Sequence, residues 1–222
     1  MTVLILNSGR GTRMLNKSKP KCLTTINGNE TILSRQLSFL MDAGLSNIVI
    51  TTGPFEDLVK RNAPQARFVN NHNYMTTNYI YSIYLAREQL DDDLLLLHGD
   101  LVFDKNILGS ILQREDSCVI VQDVFPLPEK DFKAEIINGR VTRIGVNLFD
   151  NTKASQPLYK LRHSDWLKWL NEIIRFVGEG EVNCYAEDAL PSDILYPHLS
   201  TSLCREIDTP EDLRQVKALL GN

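Results

Sequence analysis

A loop rich in glycine and basic residues follows the first apolar segment, and its residue types suit the binding of a triphosphate. Residues 7–13 read Asn-Ser-Gly-Arg-Gly-Thr-Arg, and Lys17, Lys19 and Lys21 follow shortly after. Backbone amides of a glycine turn, guanidinium groups and ammonium groups are donors to phosphate oxygens. The concentration of cations here, in a chain that is acidic as a whole, predicts a phosphate-binding site.

Two other glycine-loop chemistries fit this segment poorly. A P-loop needs a Gly-Lys pair followed by serine or threonine, and no such pair occurs in residues 6–21. A dinucleotide-binding loop needs a third glycine and a helix that begins at once, whereas Lys17, Lys19 and Pro20 interrupt any such helix. The loop is therefore predicted to bind a triphosphate in another way.

Two segments that carry carboxylates are the second candidate for chemistry. Asp100 closes residues 94–100, which begin with four leucines and read as a buried strand. Glu206 and Asp208 alternate around Ile207, and alternate residues of an extended segment share a face. These carboxylates predict a Mg²⁺ site that contacts phosphate oxygens. The structural alternatives are a turn residue at the first segment and an acidic helix start at the second.

The first half of the chain alternates between apolar strands and amphipathic helices. Strands are predicted at residues 2–6, 47–52, 67–70, 94–98 and 117–122, and helices at residues 31–43, 55–62, 77–90 and 105–114. This alternation predicts an α/β fold with a mainly parallel, mixed central sheet sandwiched by helices. Ligands of such sheets bind beyond the carboxyl ends of the strands, where the glycine loop and Asp100 are expected.

The pattern changes after about residue 123. Residues 134–137 and 140–145 flank the turn Asn138-Gly139, which predicts a β-hairpin. Two further helices are predicted at residues 164–176 and 210–220. We expect a single domain over residues 1–222, in which residues 124–200 form a small hairpin and helical insert.

Composition limits the partners and the location. The 222 residues are 43% hydrophobic and 23% charged, which is typical of a globular protein, and the net charge of −4 gives no general attraction to nucleic acid or anionic membranes. The four cysteines form no C-x-x-C pair, and no apolar run reaches the length of a membrane span. We expect a soluble cytoplasmic protein with neither a nucleic acid nor a membrane as partner.

Residues 4–14 and 19–23 together resemble a known family signature. They read Leu-Ile-Leu-Asn-Ser-Gly-Arg-Gly-Thr-Arg-Met and Lys-Pro-Lys-Cys-Leu, similar to the L-x-G-x-G-x-R-[L/M] … K-P-K-x-L signature of nucleotidyltransferases with the nucleotide-diphospho-sugar transferase fold. That family usually has two alanines where this chain has Asn7-Ser8. The Gly99-Asp100 pair and the ending E-I-D-x-x-x-D-L at residues 206–213 resemble the phosphocholine and phosphonate cytidylyltransferase branch. The resemblance implies a Rossmann-like fold.

The resemblance also implies site residues. Arg13 and Lys21 would be catalytic, since they can stabilise charge on the α-phosphate and the leaving pyrophosphate. Asp100, Glu206 and Asp208 would hold Mg²⁺. The nucleotide-binding set would be Leu6, Asn7, Ser8, Gly9, Arg10, Gly11, Thr77, Asn78, Ser82 and Gly99.

Tyr185, Glu187 and Asp188 are predicted to bind the acceptor, because the resembling branch has a similar Tyr-x-Glu-Asp segment. The insert would then lie on the acceptor side. In an extended segment Tyr185 and Glu187 would share a face, and a cationic acceptor is suited by an aromatic ring and a carboxylate. Trp166 and Trp169 are an aromatic alternative, but their helical spacing is typical of core residues.

The leading hypothesis is a cytidylyltransferase that transfers CMP from CTP to a small phosphate or phosphonate, such as phosphocholine or an aminoalkylphosphonate, and releases pyrophosphate. The alternatives are a sugar-1-phosphate nucleotidyltransferase that uses UTP, GTP or dTTP, and a nucleotide-binding regulatory module without catalysis. An ionised acceptor needs no nucleophilic triad, so the four histidines are assigned structural roles. The sequence leaves open the preferred base, the acceptor and the formation of a homodimer.

Overall fold

The computed structural model describes residues 1–9, 11, 18–124 and 126–221. Its helices are α1 (Ile32–Asp42), α2 (Glu56–Asn62), α3 (Tyr79–Ala86), α4 (Lys105–Leu112), α5 (His163–Gly178) and α6 (Pro210–Leu219). Its strands are β1 (Thr2–Asn7), β2 (Thr25–Asn27), β3 (Glu30–Thr31), β4 (Ile48–Thr52), β5 (Arg67–Asn70), β6 (Leu94–His98), β7 (Leu101–Phe103), β8 (Cys118–Gln122), β9 (Lys133–Ile137), β10 (Arg140–Gly145), β11 (Thr152–Leu161), β12 (Tyr196–Leu199) and β13 (Cys204–Glu206). The predicted helices all occur, with ends shifted by a few residues.

A nine-stranded mixed sheet forms the centre of the molecule. β6, β1, β4 and β5 lie side by side in this order and pair in parallel, as the alternation of strands and helices predicts. β11 runs antiparallel to β6, β8 and β9, while β10 pairs with β9 and β12 pairs with β8. The predicted α/β class with a mixed sheet between helices is confirmed.

β11 joins the parallel strands to the rest of the sheet, and the sequence pattern does not reveal it. Its residues 158–161 pair with β6, whereas residues 152–154 pair with β9. Its register against β8 shifts between Gln156 and Tyr159, around Pro157, which has no N–H to donate. A proline in a sequence argues against a central strand, so the sequence pattern does not predict β11. The structure accommodates Pro157 at the point where the pairing with β8 is irregular. The strands of residues 124–200 are thus hydrogen-bonded into the main sheet.

The predicted hairpin is formed by β9 and β10, which pair antiparallel. Its turn residues Asn138 and Gly139 have φ values of 52° and 74°. Positive φ at both central positions is what a type I′ turn requires, and Asn-Gly adopts it readily. The local sequence therefore determines this turn.

β1 and β6 are buried on both faces, so the core has two layers. One layer lies under α3 and α5 and includes Trp166 and Trp169, as their helical spacing indicates, and the other lies under α1 and α4. The two indole N–H groups donate to the carbonyl oxygens of Leu90 and Ala186, each at 2.9 Å. Among the described residues, no helix combines the length and apolar content that a bilayer crossing requires.

A short antiparallel ladder of β7 and β13 lies just beyond the carboxyl end of β6. Leu101 pairs with Glu206, and the Ile207 N–H donates to the Asp100 carbonyl oxygen at 3.0 Å. Ile207 is buried in a small core with α6. The ladder thereby brings Glu206 and Asp208 beside Asp100.

Candidate active site

A cavity of about 390 Å³ lies at the carboxyl ends of β1 and β6. Residues 6–9, Lys21 and the carboxylates of the β7–β13 ladder line it, together with the start of α3 and Tyr185. Open α/β sheets bind ligands at this edge. The ends of β1 and β6, which the sequence predicts to carry the glycine loop and Asp100, meet there.

Most of the predicted nucleotide-binding residues line the cavity. These are Leu6, Asn7, Ser8, Gly9, Gly11, Thr77 and Asn78. Ser82 and Gly99 lie behind this surface. Arg10 and Arg13, as well as Lys17, lie outside the described residues, so their predicted roles stay predictions.

Two glycines let neighbouring strands approach the end of β1. A Cβ on Gly53, which follows β4, would lie 2.2 Å from the Ser8 carbonyl oxygen, so a side chain there would displace this backbone. The Gly99 N–H donates to the Leu6 carbonyl oxygen at 2.8 Å, and a Cβ on Gly99 would lie 3.0 Å from the same oxygen. The backbone of residues 6–8 is therefore held from both sides.

Ser82 positions Ser8 from beneath the cavity floor. The two hydroxyl oxygens are 2.7 Å apart. The Asn71 side-chain amide donates to the hydroxyl oxygens of Ser82 and Thr77, each at 3.0 Å. Because Ser82 and Asn71 are buried, Ser82 connects the glycine loop to α3 rather than facing a ligand.

Lys21 lies between two carboxylates that come from distant parts of the chain. Its Nζ donates to Asp100 Oδ2 at 2.8 Å and also to Asp208. Burial alone would lower the pKa of Lys21, but Asp100 and Asp208 raise it above its usual value. Burial opposes ionisation of Asp100 as well, yet Lys21 holds the pKa of Asp100 below its usual value. Lys21 and Asp100 are therefore both charged at neutral pH.

Glu206 is engaged by His98, since His98 Nδ1 and Glu206 Oε1 are 2.8 Å apart. Burial alone would lower the pKa of His98, but Glu206 raises it to about 9, so the imidazole is protonated at neutral pH. His98, Asp100 and Glu206 offer ligand atoms within 4.8 Å of one another. The four histidines are predicted to be structural, whereas His98 lines the cavity. Its position directly before Gly99-Asp100 is the sequence signal that could have indicated this.

Tyr185 and Asp188, two of the predicted acceptor residues, occupy different places. Tyr185 is 40% exposed and lines the cavity. Asp188 accepts from the Tyr185 backbone N–H at 2.9 Å and is not part of the cavity lining. Residues Ala186–Ala189 form a 3₁₀ turn rather than an extended segment. The alternation expected for an extended segment therefore does not apply.

Glu187, the third predicted acceptor residue, is 5% exposed and lies behind the cavity wall. It accepts from the hydroxyl groups of Tyr159, at 2.7 Å, and Tyr79. Burial and the charge of Glu187 raise the pKa of both tyrosines well above their usual value, so both phenols stay protonated donors. The Tyr79 ring in turn packs edge-to-face against His98, with 4.9 Å between centroids.

Residues 126–132, which we call the lip loop, supply cavity residues that no sequence motif indicates. Lys130, Asp131 and Phe132 line the cavity, and the Phe132 ring packs edge-to-face on Tyr185, with 4.9 Å between centroids. Burial raises the pKa of Asp131, and the charge of Asp208 adds to this effect. The sequence signal for this loop is Phe132 directly after the charged pair Lys130-Asp131. This triplet has no fixed spacing to the glycine loop or to the carboxylate motifs, so the sequence alone does not assign it to the site.

The sequence as a whole identifies the family. The model of the MobA-like NTP transferase domain matches residues 3–173, which include the glycine loop, Lys21 and Asp100. The chain belongs to this family. The predicted nucleotidyltransferase class is thereby confirmed, and the matched residues include most of those that line the cavity, although Tyr185, Glu206 and Asp208 lie beyond them.

This member of the MobA-like NTP transferase domain family is similar to a CMP-phosphonate synthase and to a cytidylyltransferase. It is 28% identical to the CMP-5'-(3-aminopropyl)phosphonate synthase of Streptomyces rubellomurinus, over 96% of this chain and 37% of that longer protein. It is 25% identical to the choline-phosphate cytidylyltransferase of Streptococcus pneumoniae, over 100% of this chain and 99% of the other. The chain thus spans little more than a third of the first relative and nearly all of the second.

The solved structure of a CTP:phosphocholine cytidylyltransferase from Streptococcus pneumoniae has the same fold. Its TM-score is 0.80 at 22% identity, and the match covers 99% of this chain and 98% of the other. The nucleotide-diphospho-sugar transferase fold predicted from the sequence resemblance is therefore confirmed.

Proposed function

We propose that the chain transfers CMP from CTP to a small phosphate or phosphonate acceptor and releases pyrophosphate. The observation that carries the proposal is the Lys21 ammonium held between Asp100 and Asp208, at the cavity edge where residues 6–9 end β1. With a divalent cation bound to its carboxylates, such a cluster would neutralise and align anionic phosphates. CTP and a phosphate or phosphonate acceptor are supported by the names of the phosphonate and choline-phosphate relatives.

In the proposed reaction, an oxygen of the acceptor phosphate or phosphonate attacks the α-phosphorus of CTP. A new phosphorus–oxygen bond forms, while the bond from the α-phosphorus to the bridging oxygen breaks and pyrophosphate leaves with the electron pair. The attacking oxygen is already ionised, so the protein needs to align and neutralise rather than to remove a proton. Lys21 would stabilise charge at the α-phosphate, and Arg13 would act on the leaving pyrophosphate.

The carboxylates at the cavity edge fit Mg²⁺, which we include in the proposal. Asp100 and Asp208 converge on one cationic group, the Lys21 ammonium, so their oxygens are already arranged around a positive charge. Carboxylate oxygens are the ligands that this cation prefers. Asp100 and Asp208 would hold it, and Glu206, which His98 orients, would complete the set. The bound ion would supply positive charge to phosphate oxygens.

The acceptor is proposed to carry an ammonium group. The rings of Phe132 and Tyr185 meet at the cavity, and Asp131, which precedes Phe132 in the chain, also lines it. Aromatic faces and a carboxylate are suited to a quaternary or primary ammonium. Tyr185 would contact this group, while Glu187 and Asp188 would act indirectly, by holding Tyr79 and the Tyr185 backbone.

The cytoplasm is proposed as the location. All four cysteines are free thiols. Burial raises the pKa of Cys22 to about 12 and that of Cys118 to about 11, so both stay protonated and poorly reactive. Free thiols of this kind are typical of a reducing compartment.

A substrate matrix tests the proposal. CTP, UTP, GTP and dTTP are each combined with phosphocholine, 2-aminoethylphosphonate, glycerol phosphate and glucose 1-phosphate, and pyrophosphate release is measured. We expect the highest kcat/KM for CTP with an acceptor that bears an ammonium, and a higher KM for 3,3-dimethylbutyl phosphate, the uncharged isostere of phosphocholine. A preference for a sugar phosphate with another nucleotide would support the sugar-1-phosphate alternative. Absence of release with every pair would support a regulatory module.

A further inference from the structure

Lys133, the first residue of β9, has a side chain that solvent does not reach. Its Nζ donates to the carbonyl oxygens of Pro128 at 2.8 Å and Glu129 at 3.3 Å. The same ammonium lies 4.4 Å from the centroid of the Phe149 ring. Within the described residues Lys133 has no ion pair, so backbone carbonyls and an aromatic face satisfy its charge.

A buried ammonium can fix the position of polar backbone groups, which an apolar side chain of the same size cannot do. Burial of a charge without a carboxylate partner is unfavourable, and burial lowers the pKa of Lys133 although Asp131 and Glu129 raise it. A methionine could fill the same space, but the carbonyl groups of Pro128 and Glu129 would then be free to turn toward water. The ammonium therefore fixes the position of these two carbonyl groups.

The two carbonyl groups belong to the lip loop, which is held at two points. Lys133 holds its middle, and the Ser155 N–H of β11 donates to the Phe132 carbonyl oxygen at 2.9 Å, which holds its end. Lys130 and Asp131 lie between these two points, and both line the cavity. The position of this wall therefore depends on both attachments.

A second loop contacts the same ammonium. It follows β10 and includes Val146, which lines the cavity, and Phe149, whose ring covers the Lys133 ammonium while remaining 54% exposed. A cation–π contact is favourable even near the surface. Lys133 thus connects the lip loop to the loop after β10.

We propose that Lys133 is a positioning residue that ties these two loops into one wall on the acceptor side of the cavity. Lys133 itself touches no ligand, because its side chain lies behind the cavity lining. The part of this inference that concerns the acceptor rests on the proposed function. Acceptor affinity, but not nucleotide affinity, then depends on an ammonium outside the site.

The test compares K133M with the matched control K160M. Lys160 is also buried, and its Nζ also donates to backbone carbonyl oxygens, those of Arg114 at 3.0 Å and Asp116 at 3.4 Å, but it is not part of the cavity lining. Hydrogen exchange of the lip-loop amides, the melting temperature, and KM for CTP and for the acceptor with the fastest pyrophosphate release are measured for each variant.

In K133M the lip-loop amides should exchange about tenfold faster and the acceptor KM should rise about tenfold, the scale of a lost hydrogen bond from a charged donor. The KM for CTP should stay within about twofold, since the nucleotide residues are held by other contacts. K133R should restore both values in part, whereas K160M should lower only the melting temperature. Unchanged lip-loop exchange in K133M, or an equal acceptor KM in K133M and K160M, would overturn the proposal.

Two further arms keep the test decisive. F149A removes the exposed ring that covers the ammonium, so it should fold even where K133M does not, and it should raise the acceptor KM about threefold, as expected for loss of a cation–π contact. An acceptor KM equal to that of the wild type in F149A, with K133M unfolded, would also overturn the proposal. If the wild-type protein turns over no acceptor, the proposed function fails, and the exchange rates alone decide whether Lys133 holds the lip loop.

Discussion

Two carboxylate centres border the cavity, and their carboxylates have opposite kinds of partner. The charged centre consists of Lys21, Asp100 and Asp208, and the phenol centre consists of Glu187, Tyr79 and Tyr159. In the charged centre an ammonium faces two carboxylates whose side chains are 17% and 21% exposed. In the phenol centre a carboxylate that is 5% exposed accepts from two neutral hydroxyl groups.

The difference assigns the two centres different roles. A partly open ion pair can exchange its ammonium for another cation or for a substrate, so the charged centre can take part in chemistry. Buried hydrogen bonds from protonated phenols cannot be exchanged without exposing the core, so the phenol centre determines shape. Tyr79 transmits that shape, because its ring contacts both His98 and Tyr185 on the cavity side.

Loss of the divalent cation from the charged centre should have the largest effect. In excess EDTA, pyrophosphate release should fall about 10³-fold or more, because neutralisation of phosphate charge by a metal ion contributes several kcal/mol. Asp208→Asn should also lower kcat, even with Mg²⁺ present, because the site loses one of its carboxylate ligands. Asp123→Asn, which affects an exposed ion pair with Lys153, serves as the control. Full activity in EDTA would contradict the assignment of the charged centre.

Removal of the ammonium should have the next largest effect. Lys21→Ala should lower kcat about 10²- to 10³-fold, as is typical when one preorganised charge donor is lost. Its melting temperature should fall modestly, because Asp100 loses the ammonium that offsets the cost of its burial, but the variant should stay folded at the assay temperature. Lys105→Ala, at an exposed ion pair with Asp42, is the matched control. Turnover in Lys21→Ala that equals the wild-type value would show that Lys21 is not catalytic.

The same variant tests whether the charged centre exchanges its cation. Without nucleotide, Lys21→Ala should bind Mn²⁺ about tenfold more tightly than the wild type, because the ammonium no longer competes for Asp100 and Asp208 and each tenfold corresponds to about 1.4 kcal/mol. Isothermal titration calorimetry measures this affinity independently of turnover. Equal Mn²⁺ dissociation constants for the wild type and Lys21→Ala would contradict the prediction, because the Mn²⁺ ion and the Lys21 ammonium would then not compete for the two carboxylates.

Changes at the phenol centre should be the mildest for catalysis. Glu187→Gln should raise the acceptor KM by about threefold, less than the cost of one full hydrogen bond, and leave the KM for CTP unchanged. Glu187→Leu should lower the free energy of unfolding by about 1–3 kcal/mol, because two buried hydroxyl groups lose their acceptor. Glu135→Gln, in the hairpin and bonded to Thr142, is the control. Loss of CTP binding with acceptor binding intact would place Glu187 on the nucleotide side.

Local patterns predict the parts of the molecule that local physics determines. The leucines of β6 are buried on both faces, as a continuous apolar run indicates, and Asn138-Gly139 forms the expected turn. The convergence of Asp100 and Asp208 follows from strand ends and from residue alternation, which are both readable from sequence. The family resemblance then predicts that these two carboxylates hold Mg²⁺.

Tertiary contacts determine what the patterns do not predict. His98 is held by a hydrogen bond with Glu206, and Glu187 is held by hydrogen bonds from Tyr79 and Tyr159. In each case the partners are distant from each other in the sequence. No spacing rule relates such residues. The 3₁₀ turn after Tyr185 likewise redirects Glu187, since a segment of four residues follows its surroundings more than its own propensity.

The ladder of β7 and β13 also affects how the protein folds. It joins Leu101 to Glu206, so it closes a loop of about a hundred residues. Pairing across such a separation is entropically slow, whereas β1 and β4 are joined by residues 8–47, a separation less than half as long that includes α1. During refolding, the helical signal should therefore return before the two aspartates converge on Lys21, and catalytic competence should appear only with this last step.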